Sequence, residues 1–181
     1  MISPRVQILD ACVLINLLAS DEVEGILRAA GRESLICSAV AGESIYLRTG
    51  DPNAPREHID LRPLINSGLL TVCQVEGDQE EELYVDYASA LDDGEAMSLA
   101  IALSRGYVLA TDERKARRLF LEAATDPQYL TSTSELLRLW TEAERIQAAR
   151  IKTALLQIES RARYQPPATD VNHRWWVDIS Q

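Results

Sequence analysis

The chain has 181 residues, 46% of them hydrophobic, and a formal net charge of −10. That length and apolar content suffice for one substantial core, whereas no apolar run approaches the roughly 20 residues of a membrane span, so no membrane partner is expected. Cys12, Cys37 and Cys73 are odd in number and lack metal-ligand spacing, which argues against a disulfide scaffold and fits a reducing cytoplasm.

Arg5 to Leu9 predicts a strand, and Asp10 interrupts it before the apolar region of a signal peptide can form. Val13 to Leu18 and Val23 to Ala30 have helical patterns, Ser34 to Cys37 is a second strand, and Val40 to Arg48 is expected to be a helix carrying Glu43. Thr49 to Arg56, with Pro52 and Pro55, is the clearest loop. Next come a helix at His58 to Ser67, a strand at Leu69 to Val75, helices at Glu80 to Leu91 and Gly94 to Arg105, a strand at Tyr107 to Ala110, and a helix at Arg114 to Ala124. Met97, Ala100, Ile101 and Ser104 give the stripe of a helix laid on a sheet. Strands alternating with helices imply βαβ units and a parallel sheet.

After Asp126 the pattern changes. Ser132 with Glu135, and Thr141 with Glu144, have the spacing of capping boxes. The second predicts a long helix from Thr141 to Arg163, with an apolar seam of Ala148, Ile151, Leu155, Ile158 and Ala162 that needs covering. Arg145, Arg150, Lys152, Arg161 and Arg163 make its outer face basic, a candidate surface for RNA or an acidic partner. Pro166 and Pro167 end the helix, and the tail to Gln181 is expected to be irregular. Two segments result: a domain at 1–131 and a helical extension with its tail at 132–181.

The charge is unevenly distributed. Residues 1 to 125 carry 11 basic and 21 acidic side chains, and residues 126 to 181 carry 7 of each. Between Glu76 and Glu95 there are nine acids and no base, a run that reads mainly as a solvated helix face. Four other placements are more informative. Asp10 follows RVQIL, Glu43 sits in AVAGESIYL, Glu95 opens the helix of LDDGEAMSLAIALSRG, and Asp112 follows YVLAT. Ligands of open α/β sheets gather outside the carboxyl ends of the strands. Carboxylates converging there suit a hard divalent cation, Mg²⁺ or Mn²⁺, and metal-assisted phosphate chemistry.

Asp10 in LDACVLINLL, Glu43, the DDGEAMSLAIAL helix and ATDERKARRLF occur in the order and approximate spacing of PIN-domain nucleases, which the chain resembles over about residues 5 to 131. The helix start and the ending of the last motif look most like members near VapC-type toxins. The resemblance implies a three-layer α/β/α fold with a short parallel sheet, extended here by C-terminal helices. It also implies a metal-dependent endoribonuclease in which Asp10, Glu43, Glu95 and Asp112 are catalytic and hold metal. Asp93 is an alternative or additional ligand beside Glu95, and Glu113 an alternative to Asp112. Cys12 stands where the family commonly has Ser or Thr, so a hydroxyl beside Asp10 is replaced by a thiol. Arg114, Lys115, Arg117 and Arg118, directly after Asp112, are the expected RNA-phosphate contacts. The implied partners are an RNA substrate, an antitoxin protein and a second copy of the chain.

Each residue also has a purely structural reading. Asp92 and Glu95 have capping-box spacing, Asp112 is placed to cap the next helix, and Glu43 fits a helix surface. Arg114 to Arg118 also fit a solvated face, and Trp140, Trp175 and Trp176 fit packing or interface positions. Asp10 has no comparably cheap structural reading, because an acid between two apolar stretches faces burial. Two functions of different kinds follow: a ribonuclease, or a catalytically silent PIN-like module that binds RNA or protein. A phosphatase using an aspartyl-phosphate is disfavoured, since Asp10 is followed by Ala11 and Cys12 rather than by Asp-x-Asp spacing.

Overall fold

The computed structural model describes residues 5–49, 53–124, 126–143 and 145–181. Gly50, Asp51 and Pro52 of the expected loop, and Glu144 of the second expected capping box, lie outside the described residues. In chain order the elements are β1 (Val6–Leu9), α1 (Ala11–Ala19), α2 (Val23–Ala30), β2 (Glu33–Cys37), α3 (Ser38–Gly42), β3 (Ile45–Leu47), β4 (Glu57–Ile59) and α4 (Arg62–Asn66). There follow β5 (Thr71–Cys73), α5 (Asp78–Ala88), α6 (Asp93–Arg105), β6 (Val108–Ala110), α7 (Arg114–Ala123), β7 (Leu130–Thr131), α8 (Thr133–Ala143), α9 (Ala148–Gln157) and α10 (His173–Ser180). The chain forms two compact units, one from Met1–Val13, Gly31–Glu43 and Leu61–Ser132, the other from Leu14–Ala30, Ser44–Asp60 and Thr133–Gln181.

The first unit holds a five-stranded parallel sheet in the order β5-β2-β1-β6-β7. Ile8, Leu9, Ile36, Val108 and Ala110 are fully buried, as a parallel sheet with apolar strands requires. From β1 the chain builds outward through β2 and β5, then returns to lay β6 on the other side of β1, so the strand order reverses between β1 and β6. Connections leave such a point in opposite directions and open a crevice at the carboxyl ends. Leu9 is in register with Ala110, and the Asp10 amide donates to the Ala110 carbonyl at 3.0 Å. Asp10 and the Thr111–Asp112 pair therefore leave the sheet at the same level.

The expected parallel α/β class is the one found, with its four expected strands present: β1, β5 and β6 are shorter than expected, β5 keeping only Thr71–Cys73, and β2 begins one residue earlier, at Glu33. β7 escapes sequence inspection because two residues show no period. α6 departs from its expected stripe: Ala100 and Ile101 are buried, but Ser104 is exposed and Ala96, Ser98, Leu99 and Ala102 are buried as well. The helix packs on β1, β2 and β6 and also against α5 and α7, so a wide arc is covered. Its limits are local chemistry, an Asp92–Glu95 capping box at one end and Gly106 in the left-handed region (φ 64°) at the other.

Two expected helices are corrected. Val40 to Arg48 is not helical throughout: α3 stops at Gly42, and Ile45–Leu47 pairs antiparallel with Glu57–Ile59, which was expected to begin the helix of His58 to Ser67. Ile45 and Leu47 are buried while Tyr46 is exposed, and this period of two, with β-branched and aromatic residues, belongs to a pleated strand. Only Arg62–Asn66 of the second expected helix forms, with Pro63 in its first turn.

The helices after Ser132 are also bounded differently from their expectation. Thr141 lies in the last turn of α8, and the next helix begins only at Ala148. Between them Arg145 takes φ 48°, a left-handed backbone that no α-helix continues through. Ile151, Leu155 and Ile158 of the expected seam are buried, whereas Ala148 is exposed. A π turn at Ile158–Ala162 follows α9, and the tail, irregular as expected up to Asn172, is helical over His173–Ser180. α10 packs on α9, buries Trp176 completely, and donates the Trp176 indole N–H to Glu159 at 2.7 Å. α2 packs on α8, whose Trp140 is fully buried. Trp140 and Trp176 are thus packing residues. Among the described residues no helix is long and apolar enough to cross a membrane.

Candidate metal centre

At the β1–β6 reversal the acids come from three segments of the first unit, at the end of β1, at the end of α3, and at the start of α6 together with the end of β6. Asp10, at the end of β1, is 2% exposed, and its Oδ2 accepts from the Thr111 hydroxyl at 2.7 Å and the Cys12 thiol at 3.2 Å. Its Oδ1 accepts from the Ala11 amide at 2.7 Å. Burial pushes this carboxyl above its ordinary range, against those three hydrogen bonds, and the charge of Asp92 adds to the rise. A carboxylate fixed by three donors is oriented, but none of them supplies the positive charge its burial calls for.

Glu43 is not on a helix. It is the residue at which α3 ends, in extended conformation, and its side chain is exposed. Its carboxylate lies against the first turn of α6: a Cβ at Gly94 would stand 3.0 Å from Glu43 Oε1 and 3.2 Å from Val40 Cγ2. Glycine at 94 is what admits Glu43. Burial raises the Glu43 carboxyl, followed by the charges of Asp92 and Asp10.

At the start of α6 both readings of Glu95 are realised in one side chain. Asp92 Oδ1 accepts from the Glu95 amide at 2.8 Å, and Glu95 Oε2 accepts from the Asp92 amide at a long 3.4 Å. The Glu95 carboxyl is nevertheless pushed up to about 7, by burial first and then by Asp92, Asp10 and Glu113. A capping residue with no other neighbours would not be disturbed in this way. Asp93 points elsewhere, accepting from the Tyr84 hydroxyl at 3.2 Å. The acid that acts on Asp10, Glu43 and Glu95 together is Asp92, which the sequence suggested only as a helix cap.

Asp112 reaches the site through Cys12. Its amide donates to Cys12 Sγ at 3.4 Å, and the thiol is raised by burial and then by the Asp10 and Asp112 charges. The cap of α7 is Glu113, whose carboxylate accepts from the Lys115 amide at 3.3 Å, so Asp112 is not the helix cap that one sequence reading made it. Thr111 is a site residue that the sequence motifs do not single out. Fully buried, it donates to Asp10 and accepts from the Glu113 amide at 3.1 Å. Its signal in the sequence is a lone hydroxyl between the apolar YVLA and the acid.

The four basic residues of α7 divide. Arg117 Nη1 donates to the carbonyls of Thr111 at 2.8 Å and Thr131 at 3.0 Å, clamping the ends of β6 and β7. The Lys115 ammonium donates to the Ala90 carbonyl, and Arg118 makes an exposed pair with Glu122 at 3.6 Å. Arg114 is exposed.

Among the described residues no three His, Cys, Asp or Glu side chains are grouped tightly enough to hold a metal ion as they stand. The donor set still fits a hard divalent cation in two respects. Its oxygens are carboxylates, the ligands that Mg²⁺ and Mn²⁺ prefer, and none of the charges that dominate Asp10, Glu43 and Glu95 is a cation. A cation would supply that missing charge.

A family model described as a PIN domain (DUF3368) matches residues 6–169. No curated protein and no solved structure matches the chain significantly.

Proposed function

The chain belongs to the PIN-domain family, whose fold is a nuclease fold, and on that premise we propose that it is a Mg²⁺- or Mn²⁺-dependent endoribonuclease. The observation that carries this reading is the set of carboxyls, Asp10, Glu43 and Glu95, raised by burial and by the charge of Asp92, with Asp10 acting on the two glutamates and no cation among the charges that dominate them. Asp10, Glu43 and Glu95 would hold the metal, with Asp92 beside them, Asp112 alongside Cys12, and Asp93 or Glu113 as further ligands. A bound divalent ion supplies Lewis acidity and an activated water to phosphodiester hydrolysis. Thr111 keeps Asp10 Oδ2 in one orientation, and Cys12 joins the β1 and β6 ends through Asp10 and the Asp112 amide. Arg114, Lys115 and Arg118 stand on the first turns of α7, where RNA phosphates would be drawn toward the acids.

The toxin of a toxin–antitoxin pair is the biological role this reading favours, with a separate protein holding it inactive. Cytoplasmic location and self-association belong to the same proposal. The experiment is cleavage of labelled RNA by the purified chain with Mg²⁺, Mn²⁺ or a chelator, beside Asp10→Asn. Cleavage that needs the ion and Asp10 supports the reading; metal-independent cleavage, or full activity in Asp10→Asn, sinks it. The alternative is a silent PIN-like module that binds RNA or protein. It is favoured by the Cys12 thiol beside Asp10 and by the engagement of Glu95 in a capping box, and it predicts RNA binding without cleavage under any of these ions.

A further inference from the structure

The β3–β4 hairpin of the second unit pairs Ile45 with Ile59, Tyr46 with His58 and Leu47 with Glu57. Buried Ile45 and Leu47 define its inner face. Tyr46 and His58 are on the outer face, both exposed, with ring centroids 5.2 Å apart in an edge-to-face contact. Arg48 directly follows β3 and Arg56 directly precedes β4, so both stand at the same end of the hairpin, where continuing its alternation puts them on the side of Tyr46 and His58.

A third arginine joins them. The Arg48 amide donates to the Arg161 carbonyl at 3.1 Å, which ties the hairpin end to the π turn. That turn ends at Arg163, whose φ of 59° is left-handed. The Arg48 guanidinium is lowered from its ordinary range by burial and then by the charges of Arg163 and Arg56, so the three lie close enough to repel. The nearby acids Asp21 and Glu57 are both taken by Arg161, at 2.5 Å and 3.1 Å. Among the described residues no ion pair involves Arg48, Arg56 or Arg163. In a chain of net charge −10 such a cluster has a cost, and among the described residues no acid pairs with it.

We infer that the outer face of this hairpin, Tyr46, Arg48, Arg56 and His58, together with Arg163, is a contact surface for single-stranded RNA. Arginines that repel one another are relieved by phosphates, which displace bound counterions on meeting them. The exposed aromatic pair offers a platform on which unpaired bases stack, a feature that a paired helix cannot use because its bases are stacked already. A membrane surface would meet the charges without a base to stack on the rings, and a run of acidic side chains supplies no aromatic face for Tyr46. The inference rests on the ribonuclease reading for its choice of nucleic acid, and it extends that reading to residues none of which is an acid of the proposed metal centre.

The test uses the full-length Asp10→Asn chain, so that no bond is broken, and fluorescein-labelled oligouridine read by anisotropy across a salt titration. Combined Arg48→Ala, Arg56→Ala and Arg163→Ala should weaken binding by about tenfold or more and make the log–log salt slope shallower by about 2. Tyr46→Ala should weaken binding severalfold with the slope unchanged. The corresponding triple Arg→Lys variant should retain the slope, and a thermal melt should match across the series, since these arginines support no ion pair. Unchanged affinity in either the triple-alanine or the Tyr46 variant would overturn the inference. So would displacement of oligouridine by polyglutamate as readily as by unlabelled RNA, which would point to a protein partner. Wild-type failure to cleave RNA with Mn²⁺ would sink the nuclease reading alone, whereas cleavage beside unchanged binding in the triple variant would sink this inference alone.

Discussion

Two carboxylates pack along the same helix under opposite conditions. Near the C-terminal end of α6, Glu80 is 4% exposed and accepts from Arg105 Nε at 2.7 Å and Nη2 at 2.8 Å. Its carboxyl lies below the ordinary range, chiefly through the Arg105 hydrogen bonds. At the other end Glu95 has acids around it and is pushed up to about 7. An arginine thus sets the charge state of the structural acid Glu80, whereas the charges that dominate Glu95 are all acidic. The difference separates a finished ion pair from the acids proposed to hold a cation.

The largest effect expected from breaking this contrast is at the paired end. Arg105→Ala leaves Glu80 buried without its partner and should cost about 3 kcal/mol or more, measured as a shift in denaturant midpoint. Glu95→Gln, by contrast, removes a repelled charge and should leave the metal-free protein as stable as before or more so at pH 8. Equal losses in the two variants would erase the distinction.

Next in size is Thr111→Val, which keeps the shape and removes the donor to Asp10 Oδ2 together with the acceptor for the Glu113 amide. A loss of about 1–3 kcal/mol is expected from the unsatisfied groups, along with weaker Mn²⁺ binding. Unaltered stability would show that Thr111 is a spectator. Gly94→Ala should be milder for the fold, because Glu43 can swing away from the new methyl, whose Cβ would otherwise lie 3.0 Å from its Oε1. It should weaken divalent-ion affinity by about tenfold, the lower end of what disturbing a ligand's support costs; calorimetric titration of Mn²⁺ reads it directly.

The smallest effect is in pH. Glu95, raised from 4.5 to about 7, holds its proton in the fold at pH values where the unfolded chain has released it. Its contribution to metal-free stability is therefore fullest at low pH and is lost as pH rises through about 7. Glu80, lowered in the fold, has the opposite sign: its contribution is present above its unfolded pKa and lost as pH falls through its depressed value. Between pH 5 and 8 only the first should be seen, as a melting temperature that declines with rising pH in wild type and is flatter in Glu95→Gln. The same slope in both proteins would remove Glu95 as its source.

These contrasts also mark what the sequence could reveal. Apolar strands ending in acids disclosed the parallel sheet and Asp10, because the carboxyl ends of such strands are where polar groups gather. The capping box disclosed the limit of α6 but concealed Asp92, since one residue both caps the helix and faces the acids. Thr111 and Cys12 were invisible as a pair, being brought together across 99 residues by the β1–β6 register. The hairpin was misread because three-residue strands carry too little alternation to outweigh a helical pattern. Arg117 looked like its exposed neighbours until the Thr111 and Thr131 carbonyls turned it inward.

The central claim is that the acids at the β1–β6 crevice form a divalent-cation site, and Mn²⁺ titration of the metal-free protein by isothermal calorimetry tests it most directly. One or two ions should bind to wild type with a rise in melting temperature, and Asp10→Asn should lose that binding while keeping its fold by circular dichroism. Equal Mn²⁺ binding in wild type and Asp10→Asn, or none in either, would contradict it.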